Sequence, residues 1–157
     1  MYRFQLTSVG DMRNEALQEL RDLYVARLHP FAKVDREVVR ATPFRSEADR
    51  PKCRAEETGR LRASLKEGAF TVLLTEGGKL FDTKGFASWM DKTAESGARP
   101  IQFLVAGTLG TEAELAKEVD MTLSLSPLTF PHELALVVLL EQLYRVCTVV
   151  TGKTYHY

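Results

Sequence analysis

Arg145 and the aromatic tail that follows it are the residues of this sequence best suited to chemistry on a nucleobase. Tyr155, His156 and Tyr157 close the chain shortly after Arg145. A cation beside stacking rings is an arrangement that recognises unstacked bases. Two plainer interpretations stay open. Arg145 lies four positions after Glu141, the spacing of an ion pair within one helix, and a terminal histidine is often frayed.

Other familiar catalytic patterns are missing from the sequence. The letters "GKT" at 152–154 match the end of a phosphate-binding loop, but Cys147 stands where that loop needs its first glycine. No G-x-G-x-x-G follows the first strand and no serine lies in a G-x-S-x-G turn, which argues against dinucleotide binding and a hydrolase triad. His29, His132 and His156 have no partner at metal-ligand spacing, so we expect no metal site.

Composition indicates a soluble domain with no overall charge preference. The 157 residues carry 21 Lys and Arg against 21 Asp and Glu, so net charge gives no general attraction to nucleic acid or lipid. Cys53 and Cys147 lie far apart and outside any metal pattern, which favours a reducing cytoplasm. The longest apolar run, 134–140, is too short to span a bilayer. We therefore expect one cytoplasmic domain over residues 1–157, without membrane contact.

Residues 40–66 are the one stretch with an uneven charge. They hold eight Lys and Arg against four Asp and Glu. A solvated loop and helix would explain this composition, and a local surface for RNA phosphates would explain it too. Both interpretations stay open on the sequence.

Short apolar strands alternate with helices along the chain. This pattern predicts an α/β fold with a mostly parallel sheet flanked by helices. Glycine turns at 75–79 and 105–112 let backbone approach a ligand at the carboxyl edge of such a sheet. Thr111, with Glu114 three positions later, predicts a capping box. The predicted strands are 2–10, 34–41, 70–75, 100–107 and 121–126, and the predicted helices are 14–28, 55–68, 83–97, 111–119 and 128–145.

The last predicted helix, 128–145, is apolar on every side between Leu134 and Leu140. Pro131 is expected in its first turn. One side of the helix would pack on the sheet of its own chain, and the other side would need cover from more protein. The sequence therefore predicts a subunit interface on this helix, with two-fold symmetry.

Five blocks of the sequence resemble the small SPOUT-class RNA methyltransferases of the RlmH type. The most specific block is "LSLSPLTFPHELALVVLLEQLYR" at 123–145, followed by "YH" near the end of the chain. The blocks "LTSVG", "EETGRL", "LLTEGGK" and "VAGTLG" extend the likeness over nearly the full length. The resemblance implies a SPOUT-type α/β fold whose C-terminal segment forms a trefoil knot, and it implies a homodimer.

The resemblance also implies an activity, which is methylation of N3 of a pseudouridine in large-subunit ribosomal RNA of the assembled ribosome. S-adenosylmethionine would lie among three loops, and the target base would meet Arg145, Tyr155 and His156, within one chain or across the dimer. Arg145 would stabilise the developing imide anion, and His156 would take the proton or hold the base. The implied cofactor residues are Leu74, Gly107, Leu125, Ser126, Pro127, Leu128, Thr129 and Phe130.

Departures from the usual pattern of that family keep two other functions open. Ala106 stands where relatives carry glycine, and its methyl group would narrow the cofactor pocket. Leu136 and Tyr157 stand where relatives often carry basic residues, and Thr75-Glu76 replaces an acidic-apolar pair. The alternatives are a methyltransferase for a different RNA and a non-catalytic dimeric relative that binds RNA, the ribosome or a metabolite.

Overall fold

Five parallel strands form a single sheet in the computed structural model, which describes residues 1–95 and 99–153. Every neighbouring pair in the spatial order β2-β1-β4-β3-β5 runs parallel, and this confirms the predicted α/β class. The trefoil knot stays a prediction. The strands are β1 (Tyr2–Val9), β2 (Ala32–Val39), β3 (Phe70–Lys79), β4 (Ile101–Val105) and β5 (Met121–Leu123).

Helices cover both faces of the sheet. Those on one face share a core with Phe4, Leu6 and Phe103, and those on the other face pack on Leu73 and Leu104. Successive strand residues point to opposite faces, so each strand contributes to both layers. On the first face lie α1 (Glu15–Leu28), α3 (Thr83–Glu95) and α5 (His132–Val150), and on the second face lie α2 (Arg50–Ala63) and α4 (Leu115–Glu118).

The face under α2 and α4 contains a buried polar network beside its small apolar core. The Gln102 amide donates to Thr7 Oγ1 at 3.0 Å and to the Ser64 carbonyl at 2.9 Å, and its oxygen accepts from Lys66 N–H at 2.9 Å. Each polar atom of this side chain therefore has a partner, which buried amides require. The network fixes the end of α2 against β4.

Several predicted element bounds are wrong, among them the helix predicted at 55–68, which is α2 at Arg50–Ala63. The predicted helix 111–119 is reduced to α4, which begins at Leu115 without a capping side chain. The capping box does not form, and the backbone N–H of Glu112 instead donates to Thr58 Oγ1 at 3.0 Å, which holds the segment before α4 against α2. The C-terminal helix extends to Val150, and Pro131 lies just before its first residue instead of within its first turn.

The apolar side chains of α5 are covered largely by their own chain. Leu136, Leu139 and Leu140 are buried in the core that α5 shares with α1, α3 and the sheet. The inference that the outer side of this helix needs a second subunit is therefore wrong for these residues. Leu134 and Val138 remain half-buried. The homodimer stays a prediction. No helix within residues 1–95 and 99–153 has the length and hydropathy needed to cross a membrane.

Candidate functional site

A cavity of about 780 Å³ opens at the carboxyl edge of the sheet. Its walls come from the middle of β3, from the ends of β4 and β5 with the loops that follow them, and from the first turn of α5. The loops that follow parallel strands meet at this edge, which is where such sheets bind small molecules. The volume falls within the range of ligand and cofactor sites, about 300–1,000 Å³.

The cavity brings together residues that the sequence placed in three separate loops. Pro127 alone of the eight implied cofactor residues does not line it. The sequence missed the contributions of Glu76, Thr108, Thr111 and His132, although each lies in a quoted glycine turn or in the C-terminal block. The seven implied residues that line the cavity are Leu74, Gly107, Leu125, Ser126, Leu128, Thr129 and Phe130.

The loop between β5 and α5 is shaped by its own serines and prolines. Ser124 Oγ donates to the Ser126 carbonyl at 3.0 Å, and Ser126 Oγ accepts from Leu128 N–H at 3.0 Å. This turn points Leu128 outward, where 74% of its surface is exposed at the rim of the cavity. Pro131 then ends the loop, because its fixed φ suits the entry into a helix.

The end of β3 crosses β5 so closely that only glycine fits at position 78. A Cβ on Gly78 would lie 2.6 Å from the Leu123 carbonyl carbon and 2.8 Å from the Ser124 nitrogen. The Ser124 N–H donates to the Lys79 carbonyl at 3.0 Å, so the crossing is also bonded. The second glycine of "EGGK" is therefore a packing requirement of this fold.

The loop after β4 rests on α2. The Nε of Arg54 donates to the Leu109 carbonyl at 3.0 Å, and Thr58 holds Glu112 one turn of the helix later. A Cβ on Gly107 would lie 3.0 Å from Val9 Cγ1, so the loop backbone packs directly on β1 at this position. These contacts leave the opposite side of the loop facing the cavity.

The first turn of α5 is anchored beside the cavity by Glu133. Its carboxylate accepts the backbone N–H of Arg13 at 2.9 Å and of Asn14 at 3.2 Å. These two hydrogen bonds lower the pKa of Glu133 below its usual range, and the bond from Arg13 is the larger cause. His132, the residue before it, lines the cavity. The start of α5 is thereby fixed to the start of α1.

Arg145 lies away from the cavity within one chain. Helix α5 continues for five residues beyond Arg145, to Val150, so the predicted end of this helix at residue 145 is wrong. The Nε of Arg145 lies 3.1 Å from Glu141 Oε1, which confirms the intrahelical ion pair that the spacing allowed. Ala135, which lines the cavity, is ten positions earlier, or about 15 Å along the helix axis. Tyr155 and His156 lie outside the described residues.

Most cations of the basic stretch 40–66 already have partners. Four of its eight Lys and Arg form ion pairs with carboxylates, and Arg54 bonds the Leu109 carbonyl. Exposed ion pairs of this kind are weak, so both interpretations of the stretch stay open. The four ion pairs are Arg50–Glu47, Arg60–Glu56, Arg62–Glu118 and Lys66–Glu37.

No cluster of three or more potential metal ligands occurs within the described part of the chain. Cys53 and Cys147 are both buried free thiols. Burial raises the pKa of Cys147 to about 12, so this thiol stays protonated at neutral pH. Among the described residues that line the cavity, Glu76 and His132 carry titratable side chains, beside several hydroxyls and backbone groups.

Comparison with known proteins finds a family and relatives that match nearly the whole chain. The family described as "Predicted SPOUT methyltransferase" matches residues 2–156. A protein of Thermodesulfovibrio yellowstonii is 37% identical over 158 residues, which cover 100% of both chains. A protein of Ruminiclostridium cellulolyticum is 32% identical over 159 residues, covering 98% of this chain and 99% of that protein. Both relatives bear the name "Ribosomal RNA large subunit methyltransferase H".

Proposed function

The chain belongs to the SPOUT methyltransferase family, and on that premise we propose that it methylates N3 of a pseudouridine in the large-subunit RNA of the assembled ribosome. The observation that carries the proposal is the cavity at the carboxyl edge, where seven of the eight implied cofactor residues come together. The relatives named for ribosomal RNA methylation support the choice of substrate.

The cavity suits S-adenosylmethionine in size and in chemistry. Apolar side chains such as Leu74, Leu125 and Phe130 offer cover for an adenine ring, and loop backbone offers hydrogen-bonding groups. Among the described lining residues, Glu76 is the only carboxylate and no Lys or Arg occurs. A cationic sulfonium ligand is favoured by that charge pattern. The Ala106 methyl group lines the cavity without closing it.

The reaction needs positioning and charge stabilisation more than elaborate machinery. S-adenosylmethionine supplies, when bound, a methyl group on a positively charged sulfur. The methyl group would pass to N3 as the base loses its N3 proton, and the electron pair of the carbon–sulfur bond would remain on sulfur. Holding N3 in line with that bond supplies much of the acceleration. The Arg145 guanidinium stabilises the imide anion, and His156 takes the proton or holds the base.

In this proposal Arg145 acts at the cavity of the partner subunit. Since about 15 Å of helix separates Arg145 from the cavity, an arginine side chain cannot span the interval within one subunit. We therefore include a homodimer in the proposal, in which the tail and Arg145 of one subunit complete the site of the other. The half-buried Leu134 and Val138 on α5 are available for that contact. The site would be a cytoplasmic one, where ribosomes assemble.

Leu136, which stands where relatives often carry a basic residue, is a core residue and not a surface residue. Leu136 is 5% exposed and belongs to the core under α1 and α5. A cation at that position in a relative would have to reach out of the core, whereas Leu136 fills it. The absence of a basic residue here is therefore compatible with RNA binding elsewhere on the molecule.

Transfer of labelled methyl groups tests the function directly. Ribosomes that lack the modification are incubated with the protein and labelled S-adenosylmethionine, beside an established family member. We expect label at the target pseudouridine. Label at another nucleotide would point to a different RNA target. No label, with the control active, would contradict methylation of the ribosome and favour either a different RNA target or a non-catalytic binding protein.

The role of Arg145 is tested by Arg145→Ala. We expect methyl transfer to fall by about 100-fold or more, because charge stabilisation at a developing anion is typically worth that factor. Affinity for S-adenosylhomocysteine, measured by calorimetry, should stay unchanged, since Arg145 does not line the cavity. Arg21→Ala, which removes an arginine paired with its neighbour Asp22, is the matched control. Turnover retained by Arg145→Ala would contradict this role.

A further inference from the structure

Glu57 is a buried carboxylate with one unsatisfied oxygen. The side chain is 4% exposed, and its Oε1 accepts the Thr42 N–H at 2.8 Å. Its Oε2 is buried and has no hydrogen-bond partner among the described residues. A buried acceptor without a donor is unfavourable, so such an atom in a folded protein calls for an explanation.

The unsatisfied oxygen faces the loop that borders the cavity. A Cβ built on Gly107 would lie 3.2 Å from Glu57 Oε2, so the carboxylate sits directly behind this glycine. Arg54 and Thr58, on the same side of α2, each form a hydrogen bond to the loop, at Leu109 and Glu112. Glu57 thus lies between two side chains that hold the loop, yet it makes no bond to it.

The loop carries donors that match this acceptor. Within residues 1–95 and 99–153, the Gly110 N–H bonds the Gly107 carbonyl at 3.1 Å, while the N–H groups of Gly107, Thr108 and Leu109 make no hydrogen bond. A buried acceptor without a donor therefore lies close to backbone N–H groups that have no acceptor among the described residues. A modest shift of the loop backbone would join them.

We propose that Glu57 is a positioning residue for the loop after β4, residues 106–112, which we call the cofactor loop. When the cofactor occupies the cavity, Glu57 Oε2 accepts a backbone N–H from residues 107–109 and fixes the loop against α2. A bond that forms only with the cofactor in place adds its free energy to cofactor affinity instead of to stability. This inference rests on the proposed function, because it requires that the cavity bind S-adenosylmethionine.

Glu57→Gln separates this role from a purely structural one. The amide keeps the shape of the side chain, and its oxygen would still accept the Thr42 N–H. The NH2 group would then replace Oε2, placing a donor where the loop N–H needs an acceptor. We expect affinity for S-adenosylhomocysteine to fall by about tenfold or more, the typical effect of losing a bond to a charged group. The melting temperature without ligand should stay close to that of the wild type.

Glu56→Gln is the matched control. Glu56 is the neighbouring carboxylate on α2 and contacts Thr42 Oγ1 and Arg60, but it has no contact with the cofactor loop. Its affinity for S-adenosylhomocysteine should equal that of the wild type. An equal affinity for Glu57→Gln as well, with wild-type binding intact, would overturn the role of Glu57. Failure of the wild type to bind would instead overturn the proposed function.

A crystal structure of the wild type with S-adenosylhomocysteine provides a test that needs no variant. We expect Glu57 Oε2 within about 3.2 Å of a backbone nitrogen of residues 107–109, the upper range of such bonds. An Oε2 bonded only to water, or still without a partner in the complex, would overturn the inference. This measurement decides the matter even if Glu57→Gln fails to fold.

Discussion

The two faces of the sheet are stabilised in different ways. Under α1, α3 and α5 the interior is apolar, with Phe4, Phe103 and Leu140 almost fully buried. Under α2 and α4 the apolar core is small, and side chains such as Gln102 and Glu57 are buried among polar contacts. Directional hydrogen bonds fix position more narrowly than apolar contacts do. The polar face is also the face that holds the loop bordering the cavity.

We infer that the apolar face mainly stabilises the fold and that the polar face mainly sets the geometry of the site. The apolar face supplies most of the burial that stabilises the fold, since apolar area removed from water is the dominant favourable term. The polar face places the backbone of the 105–112 loop through Arg54 and Thr58. Variants on the two faces should therefore differ in whether cofactor affinity changes along with stability.

The largest effect on stability is expected from Leu140→Ala on the apolar face. Leu140 is fully buried, so the truncation should lower the free energy of unfolding by about 3 kcal/mol, the middle of the range for such cavities. Urea unfolding measures this change, and affinity for S-adenosylhomocysteine should stay the same. Leu23→Ala, at a side chain 43% exposed on α1, should change stability far less. A large loss of affinity for S-adenosylhomocysteine in Leu140→Ala would show that the apolar face also controls the geometry of the site.

An intermediate effect is expected from Gln102→Leu on the polar face. Leucine has a similar volume but leaves the Lys66 N–H and the Ser64 carbonyl without their partners. We expect a loss of about 2 kcal/mol in the free energy of unfolding. Since this network fixes the end of α2, affinity for S-adenosylhomocysteine should fall as well. Unchanged affinity would show that the loop does not depend on the position of α2.

The smallest effect is expected from Glu133→Gln, which neutralises the carboxylate that joins the start of α5 to the start of α1. Two backbone N–H groups hold the carboxylate and depress the pKa of Glu133, so its contribution is present above the ordinary value of about 4.3. It is lost as pH falls through the lowered pKa. Urea unfolding should show a gap between wild type and variant at pH 7 that closes in acid. A gap that keeps its full size at pH values well below the lowered pKa of Glu133 would contradict this cause.

Much of the fold could be predicted from local patterns. Alternating apolar strands and helices gave an α/β class that the sheet confirms, and the bounds of β1, α1 and β2 differ from prediction by at most two residues. The cofactor loops could be named only through the resemblance, because glycine is an ordinary turn residue. The C-terminal block and the glycine turns identified Leu74, Gly107 and Leu125, which the cavity then brought together.

By itself the sequence determined the order of the elements, the family and the loops that border the cavity. Periodicity reports which side of an element is apolar, but it does not report what covers that side. Only the tertiary structure decided that α1 and α3 cover α5, that Arg145 lies far from the cavity of its own chain, and that Glu57 stands behind Gly107. These are contacts between residues distant in sequence, and they depend on how whole elements pack in three dimensions.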